Sequence, residues 1–467
     1  MLRRIRPEIP LFVLVFGVYA YFYQAGGWNE NSRFALTRSI VEHGTFAIDA
    51  FHESTGDKAR RGEHWYSDKA PGLSWLAVPV YAAVHALRPR AVVVGSYLAT
   101  VLAVGLPSAL AAVQLLAVGR VLGLAASWAA AIAAAYALGT LALPYSTTFY
   151  GHQLSAALGL GAFALVCRRR RPVLAGVLLG LAVCVDYTSA ILALAVTACA
   201  AVRLGAGGAA RVAAGGLPAA LALFAYHAAA FGHPLALPYD YVMQDHRRMG
   251  WFMGIDRPDL RVAWALLGGP YRGLFYGAPW LLAGLPGLAV LYRRGHRPEA
   301  AVCGGVFLAY LLVNASLADW AGGWAMGPRY LIPAIPFLAV GAMGLVTAWP
   351  PASTARRALA GVGGAAAAFS AALMLMGTAV RPDVPLTIRR PFQQYLVPSF
   401  RHGRVARSNH PIDGEGISGR RAAWNLGHVA GLDRLATLVP LALWAGVTGA
   451  WLAWAAAGAD RGRERES

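Results

Sequence analysis

Apolar runs long enough to cross a lipid bilayer recur along the whole sequence, and they decide what the chain can become. A bilayer core of about 30 Å takes about 20 apolar residues as helix. The first run, Ile9 to Gln24, follows the basic start Arg3-Arg4-Ile5-Arg6, and the last covers 433–456. Backbone in lipid must close its own hydrogen bonds, so runs of this length read as helices. The fold class is an all-α polytopic membrane protein, one transmembrane domain over residues 1–467. Composition agrees. Hydrophobic residues make up 57% and charged residues 13%, where an average soluble chain carries about a quarter charged. A cytosolic enzyme, a disordered regulator and a nucleic-acid-binding protein are excluded. The net charge of +19 comes mainly from short clusters between apolar runs, as in proteins that anchor cytoplasmic loops with arginine and lysine. Cys167, Cys184, Cys199 and Cys303 all fall inside apolar stretches. They read as buried thiols.

The clusters are Arg168 to Arg171, Arg203 with Arg211, Arg293-Arg294 with Arg297, Arg356-Arg357 and the tail Arg461/Arg463/Arg465. All lie inside if the N-terminus is cytoplasmic and the run 173–202 is two short spans broken near Asp186-Tyr187. Parity before Arg168 requires one of two devices. Either the run 91–118 is split at Gly105-Leu106-Pro107, or 72–87 is re-entrant. The expected count is about 12–14 spans. The outside loops are then 26–70, 144–152, 232–272, 318–329 and 380–430.

Of 22 carboxylates, seven lie between residues 26 and 70: Glu30, Glu42, Asp49, Glu53, Asp57, Glu63 and Asp68. None follows until Asp186. A reaction needing a general base would be built in this first loop. Glu30 falls near the start of a short amphipathic helix ending at His43-Gly44, where the helix dipole favours a carboxylate. Lys69 precedes the next apolar run at headgroup depth, where an ammonium can neutralise a phosphate.

Three segments carry a resemblance. The first is Glu30-Asn31-Ser32-Arg33-Phe34-Ala35, just after the first apolar run. The second is His64-Trp65-Tyr66-Ser67-Asp68-Lys69-Ala70-Pro71. The third is Gly322-Gly323-Trp324-Ala325-Met326-Gly327-Pro328-Arg329-Tyr330. In this order they resemble the GT-C membrane glycosyltransferases that use a lipid-phosphate sugar donor, among them protein O-mannosyltransferases and the aminoarabinose transferases of lipid A. Those enzymes usually carry Asp-Glu where this chain has Glu30-Asn31.

The resemblance implies a GT-C fold whose extracytoplasmic first loop carries short juxtamembrane helices. It implies inverting transfer of a sugar from a polyprenyl-phosphate carrier to a glycan, lipid or protein acceptor. The enzyme would lie in a bacterial cytoplasmic membrane among its lipids, its active site facing the exterior. Glu30 would be the proton acceptor. Lys69, Arg329 and Arg272 would bind the donor phosphate. Arg33, Asp68, Tyr66, His152, Asp319 and Trp320 are further substrate-binding candidates.

No cofactor is expected, and a divalent metal is not favoured: the segment Pro144 to Gln153, where the resemblance to the oligosaccharyltransferase branch implies metal-holding acids, has no carboxylate, and His152 alone suits a hard cation poorly. His43, His52 and His64 share the first loop without a zinc-site spacing. The loop 380–430 holds eight arginines against three acids. Arg389, Arg390, Arg420 and Arg421 are expected to meet an anionic acceptor or donor. Rival readings are a transporter or flippase of lipid-linked sugars, and an inactive scaffold of the same fold. A transporter would place its coupling acids in the spans.

Overall fold

The computed structural model describes residues 6–242, 254–405 and 423–464. It is a helical bundle whose few strands are two to a sheet. Six helices are long and apolar enough to cross a membrane, the longest being Tyr187–Phe231, and shorter apolar helices such as Gly151–Cys167 and Pro172–Val185 pack among them. The chain is therefore a multi-pass membrane protein.

Its two ends differ in chemistry. One collects Arg120 with Asp460, Arg203 with Glu299, and Arg356 stacked on Trp128. The other collects the loops expected outside. There α1 (Glu8–Ala20) leads into β1 (Phe22–Gln24), which pairs antiparallel with β4 (Ala423–Asn425). Ala59 bridges Val242, Ile255 bridges Leu317, and the amide of Ala325 donates to the Val384 carbonyl. All this lies on what we term the site face.

The parity question resolves at α3 (Gly72–Leu87). Gly72 abuts the backbone of Cys184 and Val185 at the end of Pro172–Val185. The Tyr81 hydroxyl donates to Glu42 in the first loop. Just beyond α3, the Tyr97 hydroxyl donates to the Ala20 carbonyl at the end of α1. Helix α3 thus begins and ends on the site face. The run 91–118 is not split, since Val92–Val121 is one continuous crossing.

The run 173–202 does break as expected, with Asp186 extended between two helices. The second helix, Tyr187–Phe231, breaks again at Gly205, whose φ of 74° suits glycine. Its second half returns and packs on Pro172–Val185 at very short range. A Cβ on Gly176 would overlap the Val212 carbonyl, and one on Gly215 the Val173 carbonyl. Small residues let helices in lipid approach this closely. Gly215→Leu is expected to cost ~3 kcal/mol or more, because backbone cannot yield as a side chain can. Thermal unfolding in detergent reads the loss, and an unshifted midpoint would refute this packing.

All four cysteines are buried and unpaired.

Candidate active site

The first loop is folded by its own acids. Helix α2 (Trp28–Arg38) continues for one wider turn to His43. Glu42 accepts from Arg38 and from Tyr81. Asp49 accepts from His64 and from the Trp65 amide on β3 (His64–Ser67). Strand β3 pairs with β2 (Lys58–Arg61). Partial burial raises the pKa of both acids, but these donors outweigh it and hold both below the usual carboxylate range. A lowered folded pKa means the contribution is complete above the unfolded value and is lost as pH falls through the folded one. Amide exchange across 38–67 should therefore accelerate beyond its intrinsic trend below about pH 4. Purely intrinsic exchange down to about pH 3 would show that these acids do not hold the loop.

The other acids serve differently. Lys69 Nζ lies 2.8 Å from Asp57 Oδ2 and 3.2 Å from Asp68 Oδ1, all three residues buried. Glu63 makes only an exposed 3.7 Å contact with Arg60. His43 stacks on Phe51 and His52 on Trp65. Among the described residues no cluster of three His, Cys, Asp or Glu could hold a metal ion.

Beside Lys69 opens a cavity of about 440 Å³ on the site face. Five of the expected site residues line it: Arg33, Lys69, His152, Asp319 and Arg329. The helical phase of α2 decides what else does. Asn29 and Arg33, four apart, share the face turned to the cavity, and Arg33 Nε donates to Asn29 Oδ1 at 3.0 Å. Glu30, one residue on, is rotated about 100° by the helical repeat. It is buried but not among the described residues lining the cavity. Its charge acts instead on Tyr145, Tyr150 and Arg381.

Asp68, Tyr66, Arg272 and Trp320 also stand outside the lining. Tyr66 packs on Phe231 and Trp320 on Tyr271. Arg389 lies over the Tyr271 ring, and Arg390 is exposed at the same edge. Arg420 and Arg421 lie outside the described residues.

The Gly322-Gly323 pair explains the third motif. Both glycines have positive φ, 69° and 63°, which glycine adopts without strain. The turn brings the Ala321 and Gly323 carbonyls to Arg272, which donates to each at 3.0 Å. It also wraps Arg329, whose Nε is 3.0 Å from where a Gly322 Cβ would sit. Arg329 reaches the Tyr150 hydroxyl at 3.3 Å, and its guanidinium carbon lies 5.3 and 5.2 Å from the Tyr150 and Tyr330 ring centres. Its Nε is buried without a hydrogen-bond partner among the described residues. No described carboxylate comes within 4.0 Å of Arg33, Arg272 or Arg329. A buried cation without a matching anion is costly.

Sequence reasoning treated His152 and Asp186 separately, yet His152 Nδ1 lies 2.8 Å from Asp186 Oδ2. Asp186 Oδ1 accepts from the Thr188 amide and hydroxyl. Burial pushes the Asp186 pKa up, but the His152 bond and charge, the Thr188 bond and Arg33 outweigh it, holding it at about 2. His152 Nε2 is buried without a hydrogen-bond partner among the described residues.

Two more polar residues were missed. Asn314 lines the cavity, 1% exposed, with neither amide atom bonded among the described residues. Its signal was an asparagine inside the apolar run 299–317. Arg381, buried beside Asp383, lies where the Glu30 charge acts. Burial lowers its pKa to about 10.

No family model matches the chain, and no curated protein matches it. Among solved structures it is similar to ArnT from Cupriavidus metallidurans bound to undecaprenyl phosphate. Identity is 16% over 97% of this chain and 76% of that one, with a TM-score of 0.48. The apo state of that ArnT matches with the same identity and TM-score, over 96% and 75% of the two chains. The Archaeoglobus fulgidus oligosaccharyltransferase in its apo form is 12% identical over 81% of this chain and 57% of that one, with a TM-score of 0.47.

Proposed function

We propose that the chain is a membrane glycosyltransferase moving a sugar from a polyprenyl-phosphate carrier to an acceptor hydroxyl, with inversion at the anomeric carbon. One observation carries this reading. Two buried arginines, Arg33 and Arg329, without carboxylate partners among the described residues and a histidine–aspartate pair face one cavity at the end of an apolar bundle. The basic clusters gather at the opposite end, so the site face is extracytoplasmic by the positive-inside tendency.

The chemistry follows from the donor. A polyprenyl phosphate leaves as a stable anion, so it needs fixed positive charge in a dry site more than it needs an acid. Arg329 and Arg33 supply that charge, with Arg272 behind them. Lys69 supplies less, because Asp57 and Asp68 already balance it. The acceptor oxygen attacks the anomeric carbon and loses its proton to His152 Nε2. The bond from that carbon to the phosphate oxygen breaks, and its electron pair stays on the phosphate. Asp186 orients the imidazole and stabilises the imidazolium.

Glu30 is the rival proton acceptor, with Asn31 beside it rather than a second acid. The test is incubation of the purified protein in detergent with radiolabelled polyprenyl-phosphate sugars carrying arabinose, mannose or hexosamine. Labelled product from wild type and Glu30→Gln, but far slower product from His152→Gln, is expected. Loss of transfer in Glu30→Gln alone would return the base role to the first loop. Movement of intact donor across vesicles without transfer would make the chain a flippase.

A further inference from the structure

A second cavity with a cationic lining lies at the opposite, basic end of the bundle. A cavity of about 520 Å³ opens there, lined among others by Arg294, His296, Trp349 and Arg356. No described carboxylate lies within 4.0 Å of either arginine. Arg356 lies over the Trp128 ring, and its Nε is buried without a hydrogen-bond partner among the described residues. Trp349 is partly exposed at the rim, a place that tryptophan favours at headgroup level.

An apolar groove borders the cavity. Val346 lines both the cavity and this groove of about 450 Å³, whose floor includes Trp128 and whose wall includes Gly363 and Gly364. The groove follows the helix Thr354–Val380 from Leu359 to Ala367. At 1.5 Å per residue that is roughly 12 Å, close to the depth of one leaflet of a core about 30 Å thick. The cationic pocket and the apolar groove thus adjoin at Val346, charge on one side and hydrocarbon lining on the other.

We propose that this site binds an anionic diacyl glycerophospholipid, its phosphate between Arg294 and Arg356 and one acyl chain along Gly363 and Gly364. The slot matches an acyl chain in one leaflet and is short for a long polyprenyl tail. This site lies at the far end from the glycosyl-transfer cavity and does not depend on that reading.

Native mass spectrometry of the full chain in detergent tests it, with phosphatidylglycerol, phosphatidylcholine, inorganic phosphate and a long polyprenyl phosphate as separate probes. Each arginine near an anionic lipid contributes about 1 kcal/mol, so with two of them phosphatidylglycerol should be retained roughly thirtyfold over phosphatidylcholine. The double substitution Arg294→Gln with Arg356→Gln should erase that preference. Gly364→Leu should also lower retention by filling the slot, and its Cβ meets open space, so the fold is kept. Equal retention of the two phospholipids, or retention surviving both variants, would overturn the site. Full competition by inorganic phosphate would make it a free-anion pocket and refute the lipid. Polyprenyl phosphate losing more than phosphatidylglycerol in the arginine variant would refute the acyl occupant.

Discussion

His152→Gln should slow sugar transfer by about 10²- to 10⁴-fold, the usual worth of a positioned general base, while the protein still retains polyprenyl phosphate. The imidazole has the partners that the proposed task needs. Its Nδ1 meets Asp186, and Asp186 is fixed in turn by Thr188. Asp186→Asn should also impair transfer, because an amide facing Nδ1 cannot stabilise the imidazolium. Initial rates at saturating donor, with donor retention measured separately, check both variants. If His152→Gln kept wild-type rates, the proton would be leaving by another route, and Glu30 would be the next group to replace.

Arg329→Met should cost about 10²- to 10³-fold in rate, as for other fixed groups facing developing charge. Lys69→Met should cost less. The structure sets that order. Lys69 is flanked by two carboxylates at 2.8 and 3.2 Å, whereas Arg329 is flanked by phenols. Removing Lys69 leaves Asp57 and Asp68 facing each other, so the variant is best paired with Asp57→Asn to separate folding from catalysis. Kinetics on the monodisperse variants decide the point. A larger loss at Lys69 than at Arg329, with Asp57→Asn present, would reverse the assignment of the phosphate site.

The apolar runs made most of the fold legible, including the break at Asp186, because run length and helix length are the same quantity in lipid. Helix α3 was ambiguous for a physical reason. A helix lying along the membrane edge and one crossing it can have the same composition. Only the Tyr81 and Tyr97 hydrogen bonds, made to residues distant in sequence, separate the two. The glycine-rich motif around Arg329 could be read because positive φ nearly demands glycine. The phase of α2 could not. A motif tells which residues share a helix but not which side that helix turns to a cavity, and here Asn29 lines it where Glu30 does not. The acid concentration in the first loop was also partly misleading, since Glu42 and Asp49 brace the loop rather than face a substrate. His152 and Asp186 are 34 positions apart, a pairing that no local pattern encodes.

The pairing of β1 with β4 has a bearing on biogenesis. Tyr21, next to β1, donates its hydroxyl to the Thr437 carbonyl across 416 positions of sequence, and the Leu426 amide donates to the Tyr21 carbonyl. The clasp beside the first loop therefore cannot close until residues 423–437 have been made. Contacts between such remote segments form late. A nascent chain stalled before residue 423 would hold its helices in the bilayer with that clasp open, so maturation of the chamber waits on the segment that supplies β4.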